Sequence, residues 1–266
     1  MELVAGGPRK LVLGMVHLKP LPGTPFHDGD LDRTLRTAVA SAVALRDGGA
    51  DGCLVQTVDR VYSVRDDADP ARVAAMALVV RAVREATGDG FAVGAHMLRN
   101  AVRASLAVSA VAGGSFVRVG ALVGRTMTAH GLVEPDPEAV MAYRRSINAT
   151  GVRVIADVDS MHFHWEGRST AEVARHAANS GADAVAIGHP DERRTLDAIA
   201  AVRDKAAHVP VILAGHTNHD NAARLLARAD GAFVGSCLEP SGWGGAIDVD
   251  RVARFVEIAR SVEGQA

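Results

Sequence analysis

The chain has 266 residues, is 48% hydrophobic but only 4% aromatic, and carries a formal net charge of −2. That length suits one large domain with an aliphatic core, and no run of like charge argues for nucleic acid or an anionic membrane as a partner. Cys53 and Cys237 form neither a disulfide framework nor a CxxC pair, which fits a reducing compartment. No segment approaches the roughly 20 uninterrupted apolar residues of a membrane helix. The first ten residues lack the layout of a secretory signal. A soluble, cytoplasmic protein is expected.

In chain order, short runs rich in Val, Ile and Ala alternate with longer amphipathic segments. The run 11–18 (LVLGMVHL) precedes a helical segment at 31–49, and 52–58 precedes 70–88. Runs at 91–97 and 115–120 precede helical segments at 100–114 and 137–151. The pattern continues with 153–159 before 169–181, 184–189 before 191–207, 209–215 before 218–229, and 231–238 before 248–262. The short runs read as strands buried on both faces. The longer ones carry apolar stripes, such as Leu31, Leu35, Val39 and Val43. Eight such units without a linker predict one α/β domain over 1–266, a (β/α)8 TIM barrel. A doubly wound open sheet is the alternative, but the first βα turn lacks GxGxxG.

In a TIM barrel the chemistry sits at the carboxyl ends of the strands. There the sequence places His17 with Lys19; Gln56 and Asp59; His96 with Arg99 and Asn100; Arg118; Asp157, Asp159 and His162; His189; Gly215 and His216; and Gly235 with Ser236. Seven of the 11 histidines (His17, His96, His162, His164, His189, His216 and His219) fall at or just past a strand end. Imidazoles titrate near neutrality and suit acid/base work. A single one could equally brace a loop, so their convergence is the signal. His17, His96, His162, Asp157 and Asp159 are the candidate acid/base groups. Lys19, Gln56, Asp59, Arg99, Asn100, Arg118 and His189 are candidate substrate contacts.

Arg118 and Asp157 lie inside strand runs, where burial is costly unless they are paired or used. They are expected to pair, either as structural glue or as an anion anchor beside an acid/base. The small residues of AGHTNHDN (214–221) and the Gly235-Ser236 pair suit a phosphate held by backbone N–H groups. Ordinary turn chemistry explains such glycines equally well. A divalent metal held by the imidazoles and carboxylates is a further alternative. The chain lacks the paired first-strand histidines of amidohydrolases, so no metal ligands are assigned.

GMVHLKPLPGTP (14–25) resembles the opening signature of the BtpA/SgcQ family. Segments 48–52, 94–100, 116–119, 156–162, 229–231 and 247–256 follow in the family's order. The resemblance implies a (β/α)8 barrel and a link to photosystem I biogenesis. Departures include Gln56 and Thr57 for Glu-Asn, His96 for Asn, Ala101 for Asp and Met161 for Lys. They mark a divergent member with altered chemistry or a remodelled substrate.

Two functions compete. One is an isomerase, hydrolase or lyase acting on a small phosphorylated sugar- or nucleoside-like substrate. The other is a non-catalytic assembly or stability factor. Homo-oligomerisation is a general expectation for a soluble protein.

Overall fold

The computed structural model describes residues 9–58 and 62–263. Eight parallel strands close into a barrel: β1 (Leu11–His17), β2 (Gly52–Gln56), β3 (Ala92–His96), β4 (Phe116–Val119), β7 (Arg153–Ser160), β9 (Ala184–Gly188), β10 (Val211–Ala214) and β11 (Gly231–Val234). Around the ring the order is β1-β11-β10-β9-β7-β4-β3-β2. The outer helices are α1 (Leu31–Asp47), α2 (Pro70–Thr87), α3 (Val102–Ala112), α4 (Pro137–Ser146), α5 (Thr170–Asn179), α6 (Glu192–Lys205), α7 (Ala222–Leu226) and α8 (Val249–Ser261). The (β/α)8 barrel read from the sequence is the fold.

Local sequence explains where the helices start. Asp30, Asp69, Asp136, Asp191 and Asp248 each accept N–H bonds from the first turn of the helix they precede. Ser169 and Glu172 form a capping box on α5. Each cap satisfies orphan donors and places an oxygen at the positive end of the helix.

The core has two layers. Between strands and helices lies a broad aliphatic shell. Inside the barrel, Leu13, Met15, Leu54, Ile155 and Ile212 pack with Phe116 and Phe233, whose ring centroids lie 6.3 Å apart. The neighbouring β3 makes room for one ring with Gly94, where a Cβ would meet Phe116 at 2.3 Å. Of the two rings, Phe233 reaches the cavity at the barrel mouth. At the opposite end, Arg260 of α8 binds both oxygens of Asp51 at 3.0 and 2.9 Å, tying the last helix to the start of β2.

Three details differ from the sequence reading. Residues 126–133 form a hairpin, β5 (Thr126–Thr128) and β6 (Gly131–Val133), which β8 (His164–Trp165) extends. Strands this short carry no readable alternation. The helix expected over 218–229 is only Ala222–Leu226, because Asn218 and Asn221 turn the preceding chain through side-chain bonds. α4 stops at Ser146, and Asn148 adopts φ +54° just beyond it. Among the described residues, no helix is long and apolar enough to cross a membrane.

Candidate active site

The strand ends surround a cavity of about 790 Å³ at the barrel mouth. His17, Gln56 and His96 end three adjacent strands at one level, since His17 pairs in register with Gln56 and Gln56 with His96. All three line the cavity. The two imidazole-bearing strands are therefore two strand spacings apart, about 10 Å.

His96 is 4% exposed, and its Nδ1 lies 3.1 Å from Gln56 Oε1. An amide oxygen only accepts, so Nδ1 carries the proton and Nε2 is a bare acceptor. That Nε2 is buried without a hydrogen-bond partner. Burial first, then the charges of Arg118 and Arg99, hold the ring well below the usual histidine range. His96 is thus a neutral imidazole at pH 7.

Arg118 and Asp157 form a bidentate pair, with Nε–Oδ1 and Nη2–Oδ2 both 2.9 Å. The guanidinium also lies over Phe233, 5.3 Å from its centroid, so it reaches across the lumen from β4 toward β11. Burial raises the Asp157 carboxyl from its ordinary value, against the pull of Arg118 and Arg99. Arg99 is half-buried, with its guanidinium 4.8 Å from the Tyr62 centroid. Among the described residues no carboxylate lies within ion-pair distance of it. Burial lowers its pKa from the ordinary arginine value.

His17 Nδ1 is buried, lacks a hydrogen bond and lies 3.6 Å from Glu239 Oε1. The other carboxylate oxygen accepts from Gly244 N at 2.8 Å. The Trp243 ring stands 5.2 Å from the imidazole. Glu239 thereby joins His17 to the loop that carries Trp243. On the far rim, burial lowers the pKa of His162 and His216, and each is lowered further by neighbouring positive or imidazole groups.

The loops after β10 and β11 complete the mouth. Gly215 and His216 take φ +91° and +57° in succession, and Asn221 Nδ2 donates to His216 O at 2.8 Å. Gly235 packs so tightly that a Cβ would lie 3.2 Å from His17 Cε1. Among the described residues, the N–H groups of Gly215, His216, Thr217, Gly235 and Ser236 find no acceptor. All five residues line the cavity.

The cavity also takes in His162, so it gathers most of the residues picked from the sequence, but not all. Asp159 does not line it. A register shift between Asp157 and Asp159 turns Asp159 outward, where Thr170 Oγ1 donates to it at 2.9 Å. Asn100 is buried in a reciprocal pair with the Ala121 backbone, both bonds 2.9 Å, and ties two loops together. Lys19 is exposed near Asp28. His189 Nδ1 accepts from Asp191 N at 3.0 Å and braces the start of α6. Asp59 lies outside the described residues. His219 donates from Nε2 to Arg251 O at 2.9 Å, away from the cavity.

Sequence reasoning missed Tyr62, Trp243 and the role of Glu239. In a chain with two Tyr and two Trp, an aromatic just past a strand end was an available signal. Burial pushes the Cys237 thiol up to about 11, so it stays protonated at neutral pH. Among the described residues, no three His, Cys, Asp or Glu side chains gather closely enough to hold a metal ion.

Known proteins are similar over nearly the whole chain. An uncharacterized protein of Thermococcus kodakarensis is 30% identical, with 96% of this chain and 97% of that protein covered. The photosystem I biogenesis protein BtpA of Synechocystis sp. is 32% identical, with 92% and 86% covered. Among solved structures, a chain described as native KDPGal superposes with TM-score 0.63 at 17% identity, covering 98% of each chain. Phosphoribosyl anthranilate isomerase from Thermus thermophilus gives 0.56 at 14%, covering 95% of this chain and 99% of its own. At such identities these structures show the barrel alone. The BtpA family matches residues 8–261, and the chain belongs to that family.

Proposed function

We propose that this chain is an enzyme that uses histidine and aspartate acid/base chemistry on a small phosphorylated sugar- or nucleoside-like substrate. The observation that carries this reading is His96. A buried neutral imidazole with an unpartnered Nε2, on a residue that lines the cavity, is costly to keep as mere packing. It is a ready proton acceptor for a substrate hydroxyl or an acidic C–H. The unpaired N–H groups of the β10 and β11 loops suit a phosphate oxygen.

The chemistry follows from the residues present. Substrate phosphate would dock against the loop N–H groups, leaving the carbon skeleton near the Phe233 ring, which lines the cavity. His96 Nε2 would take a proton, and Gln56 would hold the Nδ1 proton in place. The new imidazolium faces Arg99 and Arg118, so it returns its proton readily. That favours isomerisation, or elimination with His17 as the second proton carrier. The chain's three lysines, Lys10, Lys19 and Lys205, do not line the cavity, so a lysine imine is not used. The name of the Synechocystis relative supports the assembly-factor alternative, which requires no arrangement of this kind at the mouth.

Thermal melting with inorganic phosphate, phosphosugars and nucleoside phosphates tests the proposal. Phosphorylated compounds should raise Tm, and Gly215→Asp should abolish the rise. A Cβ at Gly215 meets nothing within 4 Å, and Asp tolerates its left-handed backbone. If no phosphate ester stabilises the wild type, the proposal fails.

A further inference from the structure

The barrel order sets two anion-binding features against each other. In the ring of eight, β3 lies four places from β10, and β4 lies four places from β11. Arg99, just past β3, therefore stands across the mouth from Gly215 and His216. The path of Arg118 over the Phe233 ring shows that a side chain can cross this lumen.

The two sides differ in chemistry. Among the described residues, the β10 and β11 side offers backbone N–H groups and no Lys or Arg side chain to the cavity. The β3 side offers the Arg99 guanidinium stacked on Tyr62, with no carboxylate within ion-pair distance of it among the described residues. The charge of Arg118 is already matched by Asp157. Beside them His96, whose Nε2 is buried and unpartnered, lines the same cavity.

We propose that the substrate carries a carboxylate as well as its phosphate, the carboxylate held by Arg99 across the mouth from a phosphate on the β10 and β11 loops. This rests on the phosphate reading above and adds the substrate's second charge. A single unmatched guanidinium presents a planar fork of donors that fits a carboxylate. A phosphate dianion would call for more unmatched charge than the described residues of this side hold. The reacting carbons then lie between the two anions, beside His96. A carboxylate on Arg99 also offsets one of the positive charges that disfavour protonated His96, so substrate binding strengthens the base.

Calorimetric titration with matched ligands separates the two readings. Sorbitol 6-phosphate carries phosphate alone, gluconate carries carboxylate alone, and 6-phosphogluconate carries both on an equally long chain. The expected result is at least tenfold tighter binding of 6-phosphogluconate than of sorbitol 6-phosphate. Arg99→Gln should remove that advantage without weakening sorbitol 6-phosphate. Arg99→Lys, which keeps the charge and loses the fork, should retain part of it. Equal binding of the two phosphates by the wild type overturns the carboxylate site and leaves the phosphate reading intact. Arg99-dependent binding of gluconate, with no binding of sorbitol 6-phosphate, supports the carboxylate site and overturns the phosphate reading. Tighter, Arg99-dependent binding of fructose 1,6-bisphosphate than of 6-phosphogluconate makes the second anion a phosphate and overturns the carboxylate.

Discussion

His96 Nδ1 and Gln56 Oε1 lie 3.1 Å apart across adjacent strands, and that contact fixes which nitrogen of the ring carries the proton. Nitrogen-15 NMR of histidine-labelled protein should show His96 as the neutral Nδ1–H tautomer at pH 7, and still neutral well below pH 6.5. The linkage has a definite sign. Below 6.5 the unfolded chain takes up a proton that native His96 refuses, so stability falls as pH drops from about 6.5 toward the depressed native value. His162 and His216 are shifted the same way and add to the fall. His96→Asn should make the denaturant midpoint less dependent on pH between 7 and 5. An unchanged dependence would mean that His96 titrates normally.

Arg118 and Asp157 allow the structural and functional roles of a buried pair to be separated. Arg118→Met leaves a carboxylate uncompensated and should cost about 3–5 kcal/mol of stability. Arg118→Met with Asp157→Leu should recover most of that loss in urea unfolding, because matched apolar replacements of buried pairs are often neutral. The double variant should nevertheless lose stabilisation by phosphate esters. If it keeps the full ligand response, the pair is structural only.

Gly188 tests the packing that sets the rim of the mouth. A Cβ there would sit 1.7 Å from Ala214 O, in the backbone of the next strand. Gly188→Ala should therefore cost about 3 kcal/mol, at the upper end of overpacking. Gly215→Ala meets open space and pays only for its left-handed φ, about 1–2 kcal/mol. Urea midpoints for the two variants check the order. A milder effect at Gly188 than at Gly215 would contradict the close approach of β9 and β10.

The barrel was legible because its strands are unbroken aliphatic runs and the segments between them carry apolar stripes at helical spacing. The Arg118–Asp157 pair was legible because charge inside such a run demands a partner. Asp159 was misread for a local reason. Strict alternation puts residues 157 and 159 on one face, and the register shift between them is a backbone event with no side-chain signature. The packing of His17 against Trp243 and Glu239 depends on the fold of the loop after β11, which the sequence shows only as a glycine-rich stretch.

The most direct test of acid/base chemistry on a phosphorylated substrate is the electron density at the barrel mouth of crystals soaked in glycerol 3-phosphate. The expected result is a phosphate within hydrogen-bond distance of the Gly215–His216 and Gly235–Ser236 N–H groups, with the carbon chain directed toward His96 Nε2. A ligand bound elsewhere with the mouth empty, or a phosphate seated with its carbons turned away from His96, would contradict it.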